Sequence, residues 1–158
     1  MNQFPFTKSE VITNLINFSK DELHNYTSNR NFDYGAPHHN VSKISPYVRR
    51  RFISENEVLG VVLKEHKCNK IEKFIEEICW RKYGKGWLES HQRIYDEYNA
   101  YDEDQNIKKK TGIKCFDHWK EELLDTGYLH NHSRMWFASI RIFTLGYSWQ
   151  SGANFFKN

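Results

Sequence analysis

Apolar residues recur at helical spacing along most of this chain. In SEVITNLINF (9–18), Val11, Ile12, Leu15, Ile16 and Phe18 share one side behind Ser9, a candidate N-cap. ENEVLGVVLKEH (55–66) reads as a short helix carrying Val58, Leu59, Val62 and Leu63. The strongest stripe lies in KIEKFIEEICWRKYGKGW (70–87), where Ile71, Phe74, Ile75 and Ile78 fall at i, i+3, i+4 and i+7 before Gly84 and Gly86 break the pattern. CFDHWKEELLDTG (115–127) is amphipathic and ends on a glycine suited to a C-cap, and NHSRMWFASIRIFTLG (131–146) is a long apolar helix stopping near Gly146. Between these, 29–40 reads as loop from its Gly, Pro, Asn and Asp. The polar, charge-segregated stretch 95–110 reads as an exposed connection. No repeat and no alternating strand pattern is present. The fold class is all-α, and 158 residues correspond to one domain, 1–158.

Composition changes this picture in one respect. Hydrophobic content of 39% and charged content of 27% are ordinary for a globular chain, but five Trp, nine Tyr and eleven Phe exceed what a small core needs. Surplus rings imply flat surfaces on which bases or a ring cofactor can stack. The net charge of +3 is compatible with a local basic patch, to which YVRRR (47–51) and IKKK (107–110) can contribute, or with plain surface charge. Three cysteines with no CxxC argue against a disulfide framework or a zinc ribbon and fit buried or idle thiols in a reducing cytosol. The first residues lack a signal-peptide pattern, and no run approaches the ~20 apolar residues of a membrane span, so the expected location is cytoplasmic.

Three stretches hold candidate chemistry, each with a structural alternative. NVSKISPY (40–47) offers Ser hydroxyls and backbone amides ahead of a helix, with Lys43 nearby. That is either a phosphate cradle or an ordinary helix start with Ser45 as cap and Pro46 following. In EEICWRKY (76–83), Glu77 and Arg81 stand at i, i+4 around Trp80. The set either handles a phosphate, a base and a proton or is a surface ion pair. In TGYLHNHSRM (126–135), Asn131, Arg134, Met135 and Ala138 share a helix face, with Tyr128, His130 and His132 crowding its start. That face suits an anionic or hydrogen-bonding ligand, or Asn131 is simply a cap. The letters HNH do not indicate a nuclease without strands. His118, His130 and His132 match no common zinc spacing, so no metal is expected.

Taken together, NVSKISPYVRRR, KFIEEICWRKY and TGIKCFDHWKEELLDTGYLHNHSRMWFAS resemble, in this order, the FAD-binding helical domain of the DNA photolyase/cryptochrome family. The family writes them roughly as S-x-L-S-P-Y-L, E-x-x-W-R-x-Y and T-G-x-x-x-x-D-x-x-x-x-x-L-x-x-T-G-[WY]-x-H-N-x-x-R-M. RNFDYG and KGWLE are similar to photolyase-related bacterial proteins that have only the helical domain. The resemblance runs from about Phe4 to the end of the chain.

The resemblance implies FAD as cofactor and DNA containing pyrimidine dimers as partner. In the intact family, excited reduced flavin passes an electron to a cyclobutane dimer, the ring splits and the electron returns. By position, it implies that Val41, Ser42, Lys43, Ile44 and Ser45 bind the FAD phosphates, that Arg81 joins them, and that Tyr26 contacts the flavin. It implies that Glu77 and Trp80 face the flipped dimer. Tyr128, Asn131, Arg134 and Met135 would line the flavin and substrate cavity, and Trp149 would be the middle member of the photoreducing tryptophan chain. A cation at Arg134 would favour the reduced flavin. His132 stands where repair photolyases carry Arg, and Phe74 where some members have a ligand-facing Trp. The antenna domain and the Asp-rich segment D-x-D-x-A-x-N-x-x-x-W-x-W are not among these residues, so the flavin site is expected to be incomplete toward the C-terminus. The reading of the other class is a truncated, non-catalytic helical binding module without flavin.

Overall fold

A computed structural model describes residues 4–101 and 110–157. Residues 102–109 of the expected connection, and with them most of IKKK, lie outside the described residues. The described residues form helices joined by turns and loops, with no strand among them, so the fold is all-α. The chain divides into two compact units, Met1–Lys85 and Gly86–Asn158.

In the first unit, α1 (Lys8–Asp21) begins one turn earlier than its apolar stripe. The cap is Thr7 rather than Ser9. The Thr7 hydroxyl accepts from the Glu10 N–H, and the Glu10 carboxylate accepts from the Thr7 N–H. Ser9 lacks a Glu three residues on, and Thr7 has one, which completes a capping box. After a 3₁₀ turn (Leu23–Asn25) come the short α2 (Tyr26–Asn29), the loop 30–44 and α3 (Ser45–Arg49). The second capping box, Ser54 with Glu57, opens α4 (Glu55–Glu65), and Lys8 Nζ reaches Glu57 Oε1 at 2.6 Å. The core joins Val11, Leu15 and Phe18 of α1, Val58 and Val62 of α4, and Ile71 and Phe74 at the start of α5 (Glu72–Ser90). Each such side chain contributes about 1.5–3 kcal/mol of burial. Phe18, Tyr26 and Phe74 meet in this core, with Tyr26 edge-on to Phe74 at 5.2 Å. Phe74 is therefore a buried packing residue.

Helix α5 does not stop at its glycines. It runs through Gly84 and Gly86 to Ser90. A helical glycine costs only about 0.5–1 kcal/mol relative to Ala, too little to end a helix by itself.

In the second unit, part of the expected exposed connection is helical: α6 covers Gln92–Asn99. Tyr98 holds it to α9 (Trp149–Lys157), with its hydroxyl 2.5 Å from Asn154 Oδ1 and Lys157 Nζ over its ring. α7 (Lys114–Thr126) ends at Gly127, left-handed at φ 68°. α8 (Asn131–Ser139) passes into a π-turn, Ile140–Thr144, before Gly146 at φ 71°. The apolar pattern holds as far as Ser139, and one wide turn follows. The core here is Phe116, Leu129 and Phe137, with the Phe116 and Phe137 rings stacked at 4.2 Å. Arg141 lies buried within the apolar run, hydrogen-bonded to Ser151 and facing the Tyr147 and Phe155 rings. The three thiols are free and exposed, not buried.

Candidate functional site

The loop before α3 and the turn after it set up the first part. Val41, Ser42, Lys43 and Ile44 line one wall of an open cleft of about 310 Å³. Asn14, Asn17 and Asp21 of α1, with Glu22, line another part. Ser45 is exposed outside the cleft, and its hydroxyl caps nothing, because Ile44 occupies the cap position and Pro46 the first turn. Lys43 adopts φ 49° and donates from Nζ to the Pro37 carbonyl at 2.7 Å, and its half-burial lowers its pKa. Two carboxylates in the cleft make it a poor seat for a diphosphate on that side.

Positive charge gathers instead where α3 ends. Arg51 and Arg81 share one carboxylate, Glu55, at 3.5 and 3.8 Å. Burial lowers the Arg81 pKa first, Glu55 opposes that, and Arg49 and Arg51 push it down further. Two guanidiniums on one carboxylate, with Arg49 near enough to act on Arg81, leave unbalanced cation. That donor set fits an anionic diphosphate such as that of FAD.

The i, i+4 ion pair between Glu77 and Arg81, the structural alternative for this stretch, does not form. Arg81 turns to Glu55, and Glu77 takes Arg30 at 2.5 Å, 47 residues away. Spacing identifies which residues can meet along a helix; tertiary partners with better geometry win. Tyr26 belongs to this group: burial raises its phenol pKa, Glu77 raises it further, and Arg30 opposes. Trp80 is 62% exposed, edge-on to Tyr83 at 5.5 Å, with one face open to solvent.

In the second unit, the long motif proves to be largely a set of folding devices. The Asp117 carboxylate accepts from the N–H of Thr111 and Gly112 and from the Thr111 hydroxyl, which lowers its pKa. Thr126 donates to the Glu122 carbonyl and accepts from the Tyr128 N–H. The cap of α8 is His130, whose Nδ1 accepts from the His132 N–H, so Asn131 is the first helical residue and is exposed. Arg134 donates to the Leu129 carbonyl and sits 5.9 Å over the Phe156 ring. Tyr128 is buried, Met135 is 64% exposed, and His132 accepts from Trp136 Nε1 at 3.2 Å. Trp149 opens α9 with its ring 6.4 Å from Tyr98.

Sequence reasoning missed Arg30, Arg49, Arg51 and Glu55 as members of the charged group. The only signal was the YVRRR run. Among the described residues, no helix is long and apolar enough to cross a membrane, and no group of three or more His, Cys, Asp or Glu is placed to hold a metal ion.

Comparison with known proteins adds to this geometry. The model of the family described as the FAD binding domain of DNA photolyase matches residues 63–158. The chain is 24% identical over 163 residues to a deoxyribodipyrimidine photo-lyase of Alkalihalophilus pseudofirmus, covering 95% of this chain and 33% of that protein. It is 25% identical over 173 residues to one of Buchnera aphidicola subsp. Acyrthosiphon pisum, covering 98% and 35%. It is 30% identical over 134 residues to cryptochrome DASH of Danio rerio, covering 73% and 25%. The chain thus spans about a third of the length of the two photo-lyases and a quarter of that of the cryptochrome DASH. No solved structure matches.

Proposed function

The chain belongs to the family of the FAD-binding domain of DNA photolyase, and on that premise we propose that it holds FAD and serves light-driven repair of cyclobutane pyrimidine dimers in DNA. The observation that carries this reading is the pair of guanidiniums, Arg51 and Arg81, on the single carboxylate of Glu55, with Arg49 close enough to act on Arg81. When bound, FAD supplies the photoexcited one-electron chemistry. The residues do the rest. The guanidiniums of the cluster neutralise the cofactor's diphosphate. Tyr26 lends an apolar, protonated phenol beside the ring. Arg30 holds the Glu77 carboxylate in one orientation, ready to accept from a pyrimidine N–H, and Trp80 offers its open face to the flipped base. The family resemblance assigns Tyr128, Asn131, His132, Arg134 and Met135 of the second unit to flavin and substrate, and Trp149 offers an oxidisable ring.

Absorbance of the purified chain, with and without added FAD, tests the reading. The chain is expected to retain a flavin band that bleaches under blue light with a reductant, and Arg81→Ala to lose most of it. Full flavin retention in Arg81→Ala removes the cluster from the site. A chain that stays colourless with added FAD overturns the reading and leaves a helical module without flavin.

A further inference from the structure

We propose that Phe32 and Tyr34 form a platform on which DNA bases beside the lesion stack, an inference that rests on the repair reading above. The loop that carries them is braced from inside. The Asn40 amide donates to the carbonyls of Asn29 and Phe32 at 2.9 and 2.8 Å. Asp33 accepts from the Gly35 N–H and lies 3.3 Å from His38 Nδ1. Lys43 ties down the Pro37 carbonyl. The usual distribution is inverted: His38 and Asn40 are 1% and 5% exposed, whereas Phe32 and Tyr34 are 57% and 66% exposed. The two rings stack on one another at 6.1 Å, 19° from parallel, and neither belongs to the core of the unit. A braced loop that shows two stacked rings to solvent presents π-faces without further ordering cost.

A nucleobase is the partner that fits. Base stacking on aromatic rings tolerates any sequence, because every base has a π-face. The charge agrees: Arg50, exposed and outside the diphosphate cluster, stands on the same unit. The loop is also fastened to the lesion-facing side of α5. Arg30, two residues before Phe32, grips Glu77, and Trp80 follows one turn on. Flipping a dimer out of a duplex unstacks its neighbours and strands the bases opposite. An apolar wedge there offsets that loss.

Fluorescence anisotropy with a duplex carrying one dimer, and with the same duplex undamaged, tests this across several salt concentrations. The double variant Phe32→Ala/Tyr34→Ala is expected to bind the damaged duplex about tenfold or more weakly. Its slope of log affinity against log salt should match the wild type, since no phosphate contact is removed. Its flavin absorbance should be unchanged, and the swap Phe32→Tyr/Tyr34→Phe should bind like the wild type. Equal affinity in the alanine variant overturns the platform and leaves the repair reading intact. A loss accompanied by a shallower salt slope or by lost flavin also overturns it, because the loop would then act through charge or cofactor. A wild-type chain that retains flavin but does not prefer the damaged duplex overturns the repair reading, and the platform with it.

Discussion

Phe137→Ala is the substitution whose effect the structure specifies most fully. Phe137 is fully buried, stacked on Phe116 at 4.2 Å and 5°, with Phe155 and Phe156 each at 5.7 Å. Truncating a core Phe costs about 3–5 kcal/mol, and each aromatic pair adds roughly 0.5–1.5 kcal/mol beyond buried area. Three such pairs keep the loss off the low end and put it at about 4 kcal/mol, against a total of about 5–15 kcal/mol for a domain. With a urea slope of about 2 kcal/mol per molar, the unfolding midpoint should fall by about 2 M. Circular dichroism against urea measures this. Phe143→Ala is the matched control: that ring is 83% exposed, and its loss should stay within about 0.5 kcal/mol. The effect should extend to the site, because Phe156 packs edge-on to Phe137 and lies beneath Arg134. A midpoint shift under about 0.5 M, or one no larger than that of Phe143→Ala, would refute the stack as the centre of this core.

Glu55→Gln should tighten FAD binding by about two- to tenfold, since its carboxylate restrains the guanidiniums of Arg51 and Arg81. Weaker binding in a flavin titration would show that Glu55 positions Arg81 instead. The Glu57 pKa is held down at about 2 from 4.5, first by Lys8 and then by Ser54. Because the folded value is the lower one, this contribution is full above about pH 4.5 and fades as pH falls toward 2. Urea midpoints of Glu57→Gln should therefore show a flatter acid limb over that window; an unchanged limb would count against it. The glycines should split in sign. Gly84→Ala meets no neighbouring atom in a helix and should raise stability by about 0.5–1 kcal/mol, whereas Gly127→Ala, at φ 68°, should lower it by about 1–2 kcal/mol. Thermal melts that move both the same way would refute the assignment.

Much of the fold was legible because its devices are local. The apolar stripes of α1, α4 and α5 and the C-cap at Gly127 follow from spacing of three to seven residues. The misplacements are also local, with cause. Thr7 displaced Ser9 because the reciprocal Glu sits three residues after Thr7. His130 displaced Asn131 because an imidazole nitrogen can accept an N–H as a carboxamide does. What spacing could not show was partnership across the chain. Glu77 with Arg30, and Arg81 with Glu55, are choices made by packing among segments far apart in the chain. The family motif was legible as a string but not as a structure: Thr111, Gly112, Asp117, Thr126 and Gly127 turn out to stop and start helices. The buried Arg141 sat unremarked inside an apolar run, because hydropathy averages hide one charge among eight apolar neighbours.

The π-turn at Ile140–Thr144 makes this part of the chain tolerant of a change in length. A wide turn holds one residue more than an α-turn. Deleting a single residue within 140–144 removes that excess, so the helix can close to regular pitch while the chain after it keeps its phase. The same deletion inside α8 has no such slack and turns everything downstream by about 100°. Arg141, inside, and Phe143, outside, both lie in this elastic segment, which is therefore where the chain can absorb a lost residue at least cost.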